Sequence, residues 1–438
     1  MFRYSMIKFI RKHASKLDKP LRDSILELHH SFRFAPIIVH PFLEQMMKKR
    51  QRVSIIIEFE KSNVFLQSFV LEHILDGHRR CHVRNRFSCI SSCSADVTLE
   101  RLEFIVTHFP SVKKVYLNRT VNALMWRFNS TKQRNSQTRL IETGKGINVA
   151  IIDTGIFQHE DLKDRIYDFV DFINQKEKAY DDNGHGTHCA GIIAGDGSRS
   201  EGLLKGIAPE ANVIGVKVLD RTGSGTIETI IQGVDWCMKY NQKNPNRPIH
   251  VISLSIGTHA TKYRTVKDDP IVKIVDEAWR SGITVITAAG NDGPEPFTIS
   301  SPGVSEQIIT VGAISTDHLT FPDALPADFS SNGPTIYGQP KPDLYAPGLN
   351  VTSLRNPESF LNRFQKSVNK NRYYTKMSGT SMATAYCAGA VALLLQSSAS
   401  LTPDQIKNLL VKGAKSDNRK IRVLDIERSL ALLKNRHV

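Results

Sequence analysis

The sequence has 438 residues, 40% of them hydrophobic, with 58 Lys and Arg against 43 Asp and Glu and a formal net charge of +15. That length exceeds one ordinary domain and allows a large core, while the lack of any run of 18 apolar residues excludes a membrane-spanning helix. Residues 1–140 carry 25 Lys and Arg against 11 Asp and Glu, a net of +14 that leaves +1 for the remainder; such a segment can meet nucleic acid, an anionic membrane or an acidic face of its own chain, and with no nucleic-acid motif beside it the last is the most economical.

Residues 1–50 read as a basic N-terminal extension in which 5–30 can form one or two amphipathic helices, with Pro20 near a helix start. The first twelve residues are basic and lack the apolar core of a secretory signal. The six cysteines show no Cys-x-x-Cys spacing and are expected as free thiols in the cytoplasm. Residues 51–125 read as a small α/β domain: a strand at 53–60, a helix at 64–75, two strands within 84–97 around a turn at 90–93, a helix over 98–109 capped by Thr98, and a strand at 112–117. The order β-α-β-β-α-β is the ferredoxin-like arrangement. A polar linker is expected at 126–143.

From residue 144 buried strands and helices alternate. Strands are expected at 147–152, 212–218, 249–255, 283–288 and 307–313, and helices near 186–195, 225–241, 268–281, 382–397 and 402–412. This is an α/β pattern, a mostly parallel sheet with helices on both faces, over a domain of residues 144–420. In such sheets functional groups gather at the carboxyl ends of strands, where Asp153, Ser255 and Asn291 fall. Residues 421–438 read as a basic C-terminal tail. Ser381 follows a turn glycine, Gly379, and opens a helix of small apolar residues. A serine there is either an N-cap or a nucleophile set on unpaired backbone N–H groups.

Three motifs taken together decide between those readings. Asp-Thr-Gly at 153–155, His-Gly-Thr-His at 185–188 and Gly-Thr-Ser-Met-Ala at 379–383, in that order, resemble the subtilisin-like serine peptidases, over roughly 141–415, and are nearest to the intracellular-type bacterial subtilases. The resemblance implies a subtilisin-like fold and a serine endopeptidase acting on protein and peptide substrates. Ser381 would be the nucleophile, His185 its base and Asp153 the group that orients the base. Asn291 and the backbone N–H of Ser381 would form the oxyanion hole. Ser255, Ile256 and Gly257 would pair with substrate backbone on one side and Gly223 and Gly225 on the other. Ala288, Ala289 and Gly290 would line an uncharged S1 pocket with an apolar P1 preference. The domain at 51–125 would be a propeptide, an inhibitory partner within the chain whose tail lies in the groove, with self-cleavage expected after Leu124 or Met125.

Some positions depart from the family pattern. Ala385 and Tyr386 stand where proline and histidine are usual, without touching the chemistry. Cys189 follows the second histidine; a thiol there is a packed core residue or a point of thiol sensitivity. No cofactor is required, but Asp161 matches one ligand of a common structural Ca²⁺ site, whereas the 196–202 loop, with Arg199 and Lys205 nearby, does not match the rest. The competing function is a catalytically idle subtilase fold acting as a regulatory or binding module.

Overall fold

The computed structural model describes residues 5–30, 35–60, 64–76, 78, 80–125, 141–315, 325–365, 371–416 and 421–435. The chain divides into two compact units, Met1–Arg119 and Thr120–Val438. Most of the expected linker, 126–140, lies outside the described residues.

The first unit begins with helices α1 (Ser5–Lys12), α2 (Lys19–His30) and α3 (His40–Arg50). Then come β1 (Arg52–Phe59), α4 (Val64–Leu75), β2 (His82–Phe87), β3 (Ser92–Thr98), α5 (Leu99–His108) and β4 (Val112–Leu117). The antiparallel sheet has the order β2-β3-β1-β4, which is the ferredoxin-like order. The Thr98 hydroxyl accepts from the Arg101 N–H and caps α5 as expected. The packing shows no division at residue 50. Met6, Phe9, Ile10, Leu17, Leu21, Ile25 and Met47 share one core with Ile55, Ile57, Val97 and Leu102. The apolar faces of the first helices are therefore structural, and the basic residues take the solvent side.

The second unit starts with β5 (Thr120–Ala123), in front of the expected boundary at 125. The main sheet is built from β6 (Asn148–Asp153), β7 (Ile166–Asp171), β8 (Asn212–Lys217), β10 (Val251–Leu254), β12 (Thr284–Ala288), β13 (Ile309–Ser315), β14 (Leu344–Leu349), β17 (Lys415–Ser416) and β18 (Arg422–Val423). Among the described residues it has nine strands in the order β17-β18-β14-β13-β12-β10-β6-β8-β7, parallel except for the β17–β18 edge. Two short strands, β9 (Ser224–Thr226) and β11 (Ile256–Gly257), flank β5 in a separate three-stranded sheet, and β15 (Val351–Leu354) pairs with β16 (Tyr374–Met377).

Helices α6 (His185–Ala194) and α10 (Thr380–Ser397) pack on each other and on the sheet. So do α7 (Ile227–Lys243) and α8 (Pro270–Arg280). The remaining helices are α9 (Phe360–Gln365), α11 (Pro403–Gly413) and α12 (Ile426–Lys434). Small residues let α10 sit deep: a Cβ on Gly389 would fall 2.6 Å from the Ile207 Cβ. The segment read as a basic tail supplies β18 and α12, whose Ile426, Leu430 and Leu433 are buried. None of the described helices is long and apolar enough to cross a membrane.

Candidate active site

Every β6 side chain is buried, and the strand runs between β10 and β8 to deliver Asp153 at its carboxyl end. Asp153 is fully buried; its carboxylate accepts the Thr154 N–H at 2.7 Å, and both oxygens lie 2.8–2.9 Å from Nδ1 of His185. His185 opens α6 after Gly184, whose φ of +109° is easy for glycine alone. Its start is held by Asp181, a buried carboxylate that accepts the N–H groups of Asn183, Gly184 and Thr187 and the hydroxyls of Thr154 and Thr187. Burial pushes the His185 imidazole down, but the Asp153 carboxylate, by charge and hydrogen bond, with Asp181 behind it, outweighs this and leaves the pKa above the ordinary value. Its Nε2 is buried and has no partner among the described residues.

Ser381 lies in the first turn of α10, and its Oγ stands 3.0 Å from the Ser255 carbonyl oxygen and 2.8 Å from that of Leu124. The Ser255 hydroxyl reaches the Ser381 carbonyl at 3.2 Å and the Cys189 Sγ at 3.9 Å, so Ser255 links the helix of His185 to the helix of Ser381. Asn291 follows β12. Its Oδ1 accepts the N–H and hydroxyl of Thr380 at 3.0 and 2.9 Å, which fixes the amide so that Nδ2 points away from them. That Nδ2 is buried and unpaired among the described residues. A Cβ on Gly379 would fall 2.4 Å from the Leu124 carbonyl oxygen and 3.4 Å from Asn291 Nδ2, so both atoms border one space that only glycine leaves open.

The segment from Thr120 to Met125 occupies the groove of its own unit. β5 is antiparallel to β11, with Ile256 opposite Ala123 and Gly257 opposite Asn122, and antiparallel to β9, with Gly225 opposite Val121. The Ala123 N–H donates to the Gly223 carbonyl and the Leu124 N–H to the Ser255 carbonyl. Val121 is fully buried. The Leu124 side chain reaches the Gly257 α-carbon region beside Ser300, a residue that motif reading missed. Ala288 and Ala289 are buried, and Gly290, with φ +117°, turns against Ser300. The groove holds an extended peptide, with a carbonyl presented to a serine.

Cys189 is fully buried, and burial followed by the Asp153 charge pushes its thiol well up, so it is a neutral packed residue. His188 is buried as well, and its Nε2 is 3.1–3.2 Å from the carbonyls of Val351 and Thr375. Burial lowers it to about 3, so it is a neutral tie between α6 and the β15–β16 hairpin.

Asp161 is fully buried. Its Oδ1 accepts from the Ser198 hydroxyl and the Arg199 N–H, each at 3.0 Å, and its Oδ2 from the Tyr374 hydroxyl at 2.6 Å. Burial and then the Asp161 carboxylate push the Tyr374 phenol up, which keeps it a donor. Both Asp161 oxygens thus accept from protein donors.

A polar stretch with no motif, and so no signal in the sequence, packs against the loop that precedes His185. The Phe360 and Leu361 N–H groups donate to the Asp182 and Asn183 carbonyls at 2.8 and 3.1 Å, and Arg221 lies over the Phe360 ring at 5.2 Å.

Residues 144–426 match the "Subtilase family" peptidase model. The chain belongs to the subtilase family. This subtilase is 47% identical to "Serine protease AprX" of Bacillus subtilis (strain 168), over 94% of each chain. It is similar to a cold adapted subtilisin-like serine proteinase of solved structure (29% identity, TM-score 0.52), covering 68% of this chain and 95% of that one. It shares the fold of fervidolysin from Fervidobacterium pennivorans (18% identity, TM-score 0.65), over 87% of this chain and 61% of that one. The subtilase is a serine endopeptidase, a hydrolase of peptide bonds with protein and peptide substrates.

Proposed function

We propose that Asp153, His185 and Ser381 form the catalytic triad, that Asn291 completes the oxyanion hole, and that the first bond cut is the enzyme's own, between Leu124 and Met125. One observation carries the reading: the Leu124 carbonyl oxygen accepts from Ser381 Oγ at 2.8 Å while residues 120–123 are clamped between two substrate-like edges. Ser381 Oγ attacks the Leu124 carbonyl carbon as His185 Nε2, the unpaired ring nitrogen, takes its proton. Asp153 keeps the Nδ1–H tautomer and stabilises the imidazolium. The oxyanion is received by Asn291 Nδ2 and the Ser381 N–H, free at the start of its helix; a side-chain donor of this kind is worth about 10²–10³ in kcat, a magnitude taken from subtilisin itself. His185 then protonates the Met125 amine as it leaves, and water releases the acyl group by the reverse proton route.

The apolar contact of Leu124 beside Gly257 supports a preference for apolar P1 residues with otherwise broad specificity, and buried Val121 supports an apolar S4. The ferredoxin-like first unit would act as a propeptide and, once severed, as an inhibitor. Its excess of cations makes that inhibition weaker at high salt. All six cysteines are free, which suits a reducing compartment such as the cytoplasm.

Leu124→Asp tests the groove reading. A carboxylate placed in an apolar site without a partner should slow self-cleavage by about 10²-fold or more, measured by intact mass over time, with the fold unchanged by near-UV circular dichroism. Cleavage at 124/125 at the wild-type rate would remove Leu124 from the P1 position.

We also propose that the enzyme needs no calcium at Asp161. Excess EDTA should leave the melting temperature unchanged in a scanning fluorimetry experiment. A fall reversed by Ca²⁺ in wild type and absent in Asp161→Asn would restore the ion to this site.

A further inference from the structure

Lys217 is the last residue of β8, and its side chain is fully buried. An ammonium has three N–H donors, and a buried one is costly unless each finds an acceptor. Here all three do: the Thr154 carbonyl at 2.6 Å, an Asp182 carboxylate oxygen at 2.7 Å and the Leu219 carbonyl at 2.8 Å. The Tyr180 ring covers the group at 5.1 Å.

The acceptors lie on three different segments of the site. Thr154 directly follows Asp153, and its hydroxyl both donates to Asp181 and accepts the Gly186 N–H beside His185. Asp182 belongs to the loop that presents His185, and its own carbonyl is held by the Phe360 N–H. Leu219 begins the loop whose Gly223 and Gly225 pair with the strand in the groove. The N–H groups of Val218 and Leu219 donate to the Asp153 carbonyl at 2.9 and 3.3 Å, which closes the arrangement from the backbone side.

We infer that Lys217 is a positioning residue for peptide hydrolysis, a single cation that locks the Asp153 turn, the His185 loop and the groove wall into one geometry. The inference rests on the triad reading given above. A neutral side chain of similar length would take this donor from the Thr154 and Leu219 carbonyls, leave the partly exposed Asp182 carboxylate to solvent, and remove the one side chain that ties all three segments together. Misplacement by about 1 Å can cost about 10²-fold in rate. The expected signature is therefore a loss of kcat per folded molecule.

The test compares the full chain as wild type, Lys217→Met, Asp182→Ala and Ser381→Ala. Self-cleavage rate, kcat and KM for a soluble peptide, near-UV circular dichroism and the far-downfield proton resonance of His185 Nδ1–H are measured for each. Lys217→Met should keep the wild-type dichroism, lose about 10²-fold in kcat with KM within about threefold, and show a shifted or broadened Nδ1–H resonance. Asp182→Ala, which removes one of the three acceptors, should lose about tenfold in kcat with the same spectroscopic change. A folded Lys217→Met with wild-type kcat and an unmoved resonance overturns the inference. If Lys217→Met does not fold, Asp182→Ala decides alone, and wild-type kcat with an unmoved resonance in that variant overturns it. Ser381→Ala separates the two levels: activity surviving in that variant would remove the triad reading, whatever Lys217 does.

Discussion

Ser381→Ala should reduce kcat for a soluble peptide by about 10⁶, the loss found for the nucleophile or the base of subtilisin. The variant loses one oxygen atom that makes contacts of 2.8 and 3.0 Å with two carbonyls. No buried donor is orphaned, so the fold and the hold on residues 120–125 should persist. His185→Ala should fall as far, because the serine hydroxyl without its base is a weak nucleophile at neutral pH and the members act as a unit. The check is a progress curve on a chromogenic peptide, with near-UV circular dichroism to establish that each variant is folded. Retention of more than about a tenth of the activity in either would reassign the roles.

Asp153→Asn should lower kcat by about 10⁴, the cost of the same change in chymotrypsin-type enzymes. The amide keeps the shape of the carboxylate but presents an N–H to His185 and favours the wrong tautomer. The pH dependence should move with it. With His185 as the proposed base, which must be neutral to act, wild-type kcat/KM should fall as pH drops through the pKa of His185, which the Asp153 carboxylate holds above the ordinary imidazole value. Without that charge burial prevails and the pKa drops, since desolvation disfavours the imidazolium. The acid limb of kcat/KM should therefore shift to lower pH in the slow variant. A limb that stays in place would mean that Asp153 does not set the charge state of the base.

The polypeptide announces its chemistry in short motifs because backbone geometry restricts what can stand at those points. Asp153 ends a strand with no polar neighbour before it, and Gly379 must be glycine because a Cβ would meet the Leu124 carbonyl. The expected central strands and main helices recur within a few residues, since β6, β10 and β12 are buried at every position and rich in Val, Ile, Leu and Ala. Other parts carry no such signature. β7 has two exposed residues and no regular alternation, and β17 and β18 are two residues each. The first helices read as an extension because their basic residues dominate the composition, whereas the few apolar positions, Met6, Phe9, Ile10 and Leu21, do the packing. Asp161 matches a ligand position in isolation; the donors that occupy it come from residues 198, 199 and 374, which local reading cannot bring together. Ser300 and Phe360 join the site through folding alone.

Cleavage of the chain's own Leu124–Met125 bond by Ser381 is the proposed first reaction. Intact mass and N-terminal sequencing of freshly purified wild type beside Ser381→Ala test it most directly. The expected result is a wild-type protein severed after Leu124, with its two fragments accounting for the whole chain, and a Ser381→Ala protein that remains a single polypeptide of 438 residues. A wild type that is active at full length would contradict it, and so would a Ser381→Ala protein cut at the same bond.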